Sequence, residues 1–192
     1  LADAALVITT INPPNPVMTS LRDVARAAGV RFILIGDTKS PADFALDGGE
    51  FLGVDAQLKS GLTFAATFPT RHYARKNIGY LVALSEGAEV IIETDDDNYP
   101  RGEFWTERQR TWNSPTAVDA GWVNVCRYFS DANIWPRGLP LPEALKMPPA
   151  LDSLPSAEAD CPIHQGLADE NPDVDAIYRL ILPLPLNFKR DV

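Results

Sequence analysis

Three adjacent carboxylates, Asp95, Asp96 and Asp97, end the segment VIIETDDDNYP (90–100). An apolar run delivers the backbone straight into them. Carboxylates at the end of such a run suit a hard divalent cation that keeps some of its waters and bridges to phosphate oxygens. A solvated turn of Asp and Asn before Pro100 is the other reading. The position directly after a strand-like segment favours the cation. A calcium loop needs further ligands two and four residues on and then a glycine, and Tyr99 and Pro100 break that pattern. An aspartyl-nucleophile phosphatase would carry its acids after the first strand, where this chain has Thr9, Thr10 and Asn12.

The densest basic cluster is RHYARK, residues 71–76. On one helix, His72, Arg75 and Lys76 would share a face, as would Arg71 and Arg75. Cations in a first turn oppose the helix dipole, and a bound diphosphate would resolve that conflict. A solvated basic face paired with Glu86 or Glu89 is the alternative. Asp37 ends a second apolar run, ILIGD, and could accept hydrogen bonds from a ribose or a base edge, or cap the turn before Ser40 and Pro41. Asp173 and Asp175 fall in the first turn of an expected helix, where the dipole alone favours acids. A general base or a ligand for a sugar hydroxyl is their functional reading. Trp135 and Arg137 could cover a sugar face, and His164 could reach a metal, though packing or surface roles suit these three as well.

The elements that must position these groups alternate in the first half. ALVITTI (5–11), RFILIGD (31–37), the short EFLGV (50–54) and VIIET (90–94) read as strands, the first and last of them buried and the last central. NPVMTSLRDVARAAG reads as a helix capped by Asn15, with Pro16 in its first turn and Gly29 at its end. SPADF (40–44) reads as a short helical turn. TRHYARKNIGYLVALSEGA (70–88) reads as a longer helix with Ala74, Ile78, Leu81 and Ser85 on one face. Strand–helix–strand repetition predicts a parallel sheet with helices on both faces. Ligands bind outside the carboxyl ends of such strands, where Thr9, Asp37 and Asp95 all fall. From Asn98 onward, prolines and tryptophans are dense and periodicity is poor. A strand over 120–129, turns over 135–145, a proline-rich excursion over 147–162, a short helix over 171–180 and an extended run over 180–188 are expected there. The expectation is one domain over 1–192, with a ligand-binding half over 1–98 and an irregular half over 99–192.

The whole chain sets limits. It has 192 residues, of which 45% are hydrophobic, enough for a packed core. Seventeen basic residues stand against 26 acidic ones, a net charge of −9, which argues against general nucleic-acid binding. Cys126 and Cys161 form no CxxC pattern, so a disulfide framework or structural zinc site has no support. No apolar run reaches the ~18 residues of a membrane span, and no basic segment precedes the first apolar run, so a cytoplasmic chain is expected. GxxxxGK(S/T), GxGxxG and GxSxG are all missing.

These residues, taken together, resemble a known family. ITTI, IGDTKSP and ARKNIGYLVALSEGAEVIIETDDDN look like the catalytic core of the STELLO-type glycosyltransferase-like proteins, and HQGLADENPDVDAIYRL (164–180) resembles a later block of the same family. The likeness is good over 6–98 and loose over 99–163. A more distant likeness is to the reversibly glycosylated polypeptides, the UDP-arabinopyranose mutases; it departs at Asn98, where those proteins have a cysteine. Both resemblances imply a GT-A-like (Rossmann-like) α/β fold, with a mostly parallel central sheet flanked by helices and a Pro/Trp-rich C-terminal half. They imply a DxD motif of Asp95 and Asp97 holding Mn²⁺ or Mg²⁺ on the diphosphate of a UDP- or GDP-sugar. Thr9 and Thr10 would line the base pocket, Asp37 would hold the nucleoside, and Arg75 and Lys76, with Asn77 beside them, would face the phosphates. Asp96 is grouped with this donor site, its other reading being to tie down the loop. Asp173 and Asp175 would serve an unknown acceptor. A sugar-nucleotide mutase and a non-catalytic binding or scaffolding protein are the alternatives on the same scaffold.

Overall fold

The structure, a computed structural model, describes every residue except 2, 119, 120, 183, 191 and 192. The chain divides into two compact units, Leu1–Glu107 and Arg108–Val192.

The first unit is built on strand β1 (Ala4–Thr9), which is apolar and buried on both faces as a parallel interior strand must be. Helix α1 (Pro16–Ala27) follows, started by Asn15, whose side chain accepts from the Met18 N–H at 2.9 Å, and by Pro16 in its first turn. Gly29, at φ +68°, turns the chain into strand β2 (Arg31–Ile35). Strand β3 (Glu50–Leu52), helix α2 (Val54–Lys59), helix α3 (Lys76–Ser85) and strand β4 (Val90–Glu93) complete the unit. The sheet order is β3-β2-β1-β4 and every pairing is parallel. Alternate residues face opposite ways. Leu6, Ile8, Phe32 and Leu34 pack against Met18, Leu21 and Ala25 of α1. Val7, Ile33 and Ile35 pack against Ile78, Val82 and Ala83 of α3. Helix α3 sits close to the sheet because Gly79 has no side chain: a Cβ there would lie 2.5 Å from Val7 Cγ1.

The α/β class and the four parallel strands are as the sequence predicts. Several details differ. Strand β4 lies at a sheet edge rather than in the centre, and Val90 is 47% exposed. Its apolar run reads as interior because isoleucine and valine mark strands in general, not central ones. The helix expected over 70–88 is shorter: a 3-10 turn at Tyr73–Arg75 leads into α3 at Lys76. His72 is extended and its side chain accepts from the Ala74 N–H at 3.0 Å, so the helical segment begins after it. The buried face carries Ile78, Gly79, Val82 and Ala83 rather than Ala74, Leu81 and Ser85. SPADF makes only a turn, with Phe44 N–H donating to Pro41 O. Helix α2 was not expected, because its one buried side chain is the polar Gln57.

The second unit holds a two-stranded antiparallel sheet of β5 (Thr111–Pro115) and β6 (Ser156–Asp160), and two single-turn helices, α4 (Cys126–Phe129) and α5 (Leu141–Ala144). Its core gathers Cys126, Ile134, Val174, Leu182, Leu186 and Phe188. No strand forms over 120–129, whose first residue lies outside the described ones. Instead Asn124 is buried and donates to Ile134 O and Ala144 O at 2.8 and 3.1 Å, which commits the segment to a helical turn. Strand β6 emerges from the proline-rich 147–162. Of the helix expected over 171–180, only Tyr178–Leu180 is helical, as a 3-10 turn. Val174 is drawn into a bridge with Pro136, and a bridged residue cannot also be in a helix. The run over 180–188 packs Leu182, Leu186 and Phe188 into the core, with residue 183 outside the described ones. Among the described residues, no helix is long and apolar enough to cross a membrane.

Candidate functional site

Strands β1 and β4 are neighbours in register from Ala4↔Val90 to Val7↔Glu93, so their carboxyl ends emerge side by side. The loops after them carry Thr10 and Asp95–Asp97. The Thr10 side chain is buried, and its hydroxyl donates to Asp96 Oδ2 at 2.5 Å. Asn12 Nδ2 donates to the same oxygen at 3.0 Å, and Asn15 Nδ2 donates to the Asp96 carbonyl at 2.9 Å. Asp96 is therefore held from the β1 side by three residues. Thr9, half-buried, ends the strand as the partner of Ile35.

Asp95 is held from the other side. Lys76, at the start of α3, points its ammonium at Glu93, at the Thr94 carbonyl (3.1 Å) and at Asp95 Oδ1 (3.0 Å). Burial works against the charge on Lys76, yet the two carboxylates outweigh it, and its pKa lies above the ordinary lysine value. Burial, followed by the charge of Glu93, also pushes the Tyr80 phenol upward. Asp97 is exposed and, among the described residues, its carboxylate has no hydrogen-bond or ion-pair partner. The second oxygen of Asp95 is uncommitted in the same sense. No group of three or more His, Cys, Asp or Glu is arranged as a ready metal cage among the described residues.

The basic cluster does not form one face. Arg75 is buried, with Nε on Gln57 Oε1 at 2.8 Å, Nη2 on the same oxygen and Nη1 on the Phe68 carbonyl at 3.0 Å. Gln57 in turn donates to Gly36 O and Leu52 O at 2.7 and 2.6 Å. This network ties α2 and the start of α3 to the ends of β2 and β3. Asn77, one residue past Lys76, is exposed. Asp37 serves the backbone: Oδ1 accepts from Thr38 N–H at 2.6 Å, and Oδ2 from Arg71 N–H at 2.6 Å and His72 N–H at 3.3 Å. That carboxylate holds the chain where Arg71 takes φ +56°.

In the second unit, the WPRG and PDVD segments lie side by side. Asp175 N–H donates to Trp135 O at 3.0 Å, and Arg137 N–H donates to Asp173 O at 3.3 Å. The Arg137 guanidinium pairs with Asp173 at 2.8 Å, both side chains largely exposed. Asp175 Oδ1 accepts from the Ile177 and Tyr178 N–H groups, as a helix cap would. His164 lies beside Trp112, ring centroids 6.2 Å apart.

Sequence reasoning thus locates Asp95, Asp96, Asp97, Thr10 and Lys76 at one place. It misses Glu93, whose signal was a charge interrupting the apolar VII run, and Gln57, whose helix is too short to show a period.

A four-stranded parallel sheet flanked by helices, with an acidic loop at the carboxyl end of β4, is a GT-A-like (Rossmann-like) α/β arrangement. No family model matches the chain. It is similar to two proteins of Arabidopsis thaliana, named "Probable glycosyltransferase STELLO1" and "Probable glycosyltransferase STELLO2". It is 28% identical to the first over 178 residues and 28% identical to the second over 171. Each match covers 82% of this chain and 22% of the relative, so the chain spans about a fifth of the length of these proteins. The chain is STELLO-like, as its quoted blocks led one to expect.

Proposed function

We propose that this chain is the donor-binding part of a glycosyltransferase that uses a nucleoside-diphosphate sugar with a divalent cation. The reading draws on the relatives' names, and one observation carries it to particular atoms. At the carboxyl end of β4, the Asp97 carboxylate and one Asp95 oxygen stand uncommitted beside a buried lysine. A cation such as Mn²⁺ or Mg²⁺ takes one or two carboxylates and completes its shell with water and phosphate oxygens, so it needs no three-residue cage. Asp97 and Asp95 would hold it there. The cation would supply positive charge to the departing diphosphate. The residues of the chain do the rest: Lys76 fixes Asp95, and the β1 loop fixes Asp96. UDP or GDP is the expected nucleotide, and Asp173 and Asp175 are the acidic groups proposed for the acceptor.

Thermal melting tests this directly. UDP or GDP with millimolar Mn²⁺ is expected to raise the melting temperature of the wild type, and Asp97→Ala to abolish the rise while melting normally without ligand. A wild type that no nucleoside diphosphate stabilises in the presence of metal overturns the reading.

A further inference from the structure

We infer that Asp96 is a positioning residue, held by Thr10 so that the two carboxylates flanking it point at the cation. The inference rests on the donor-site reading above and adds a division of labour within the acidic triplet. Three neighbouring carboxylates repel one another, and a loop carrying them would adopt many arrangements if left untied. Here the middle one is anchored. Asp96 Oδ2 takes the Thr10 hydroxyl at 2.5 Å and the Asn12 amide at 3.0 Å, while its carbonyl takes the Asn15 amide at 2.9 Å. Thr10 is itself fixed: it is 3% exposed, its N–H donates to Ile35 O at 3.0 Å, and its carbonyl accepts from Ser40 Oγ at 2.7 Å. Asn15 is fixed as the cap of α1. The acidic loop is therefore fastened to the sheet and to a helix terminus, both rigid. A short hydrogen bond from a hydroxyl to a carboxylate is of the stronger kind. Partners of this sort, behind the groups that touch a metal, orient the ligands, and losing one typically costs about 10–100-fold in metal affinity.

The consequence is specific. If Asp96 positions rather than ligates, removing the Thr10 hydroxyl should weaken metal–nucleotide binding although that hydroxyl is spent on Asp96 rather than offered to either. Mn²⁺ binding to the full chain in the presence of UDP can be followed by loss of the free-ion electron paramagnetic resonance signal. Thr10→Val is expected to weaken binding on the order of tenfold, Asp96→Ala at least as much, and Thr10→Ser to restore near wild-type affinity. Circular dichroism and ligand-free melting check that each variant is folded. If Thr10→Val binds like wild type while Asp96→Ala does not, Asp96 is itself a ligand and the inference is wrong. If both bind like wild type, it is equally wrong, and the donor-site reading stands. A wild type that binds no Mn²⁺ with UDP overturns the donor-site reading, and this one with it.

Discussion

Lys76 Nζ donates to Asp95 Oδ1 at 3.0 Å from a side chain only 8% exposed, bringing the start of α3 and the loop after β4 to one charge centre. Glu93 shares the same ammonium. The two carboxylates are about half exposed and the lysine is not, so the cation is the member that depends on the pairing. Its raised pKa says that the folded protein holds this proton more tightly than the unfolded chain does. The stabilisation is therefore complete below the unfolded lysine value, about 10.4, and is lost as pH rises through the higher folded value. Urea unfolding of wild type and Lys76→Met should show a wild-type advantage of about 1 kcal/mol. That advantage should be flat from neutral pH to about pH 10 and shrink above it. An advantage that widens in that alkaline range would contradict the assignment.

Much of this centre is legible from residue order. An apolar β-branched run followed by Asp-Asp-Asp places the acids at a strand end, and the Asn15–Pro16 start of α1 follows from capping chemistry. What does not follow is strand order. VIIET reads the same whether its neighbours lie on one side or two, because an edge strand with partial cover uses the same residues. The fate of the basic cluster is also hidden. Arg75 and Lys76 are adjacent and alike in sequence, yet one enters the core against Gln57 and the other reaches the acidic loop. Only a non-local polar partner decides that, and no local period reports it. In the second half, the bridge between Pro136 and Val174 overrides the helix start that Asn171–Pro172 signals.

Gly79 sets how closely α3 approaches the sheet. A Cβ there would lie 2.5 Å from Val7 Cγ1 and 2.9 Å from Ile35 Cγ1, both in buried side chains of interior strands. Alanine gains about 1 kcal/mol of helix propensity, but overpacking against two strands costs about 1–3 kcal/mol. Gly79→Ala is expected to be net destabilising in chemical denaturation. Because Lys76 rides on the same helix, it should also reduce the Mn²⁺–UDP melting shift. A more stable Gly79→Ala would show that the helix can slide without cost.

Asp37 accepts three backbone N–H groups, from Thr38, Arg71 and His72. Its removal leaves those donors to water and frees the loop that leads into α3. Asp37→Ala is expected to lose about 1–3 kcal/mol in ligand-free unfolding, and Asp37→Asn, which keeps one acceptor oxygen, distinctly less. If Asp37→Ala unfolds like wild type and loses only nucleotide binding, the carboxylate serves the ligand rather than the backbone.

Among the described residues, Gln57 is the buried polar side chain that answers the buried charge of Arg75. Its Oε1 accepts from two nitrogens of Arg75, and its Nε2 donates to Gly36 O and Leu52 O. Leucine matches its volume but supplies neither function. Gln57→Leu leaves a guanidinium 2% exposed with only the Phe68 carbonyl, and two carbonyls without a side-chain donor. The expected loss is about 3 kcal/mol in urea unfolding, the largest of the substitutions considered. Replacing both partners, Gln57→Leu with Arg75→Met, removes the stranded charge and should recover part of that loss. A double variant no more stable than Gln57→Leu alone would mean that the cost lies in the two carbonyls, and that Arg75 finds water or another acceptor when Gln57 is gone.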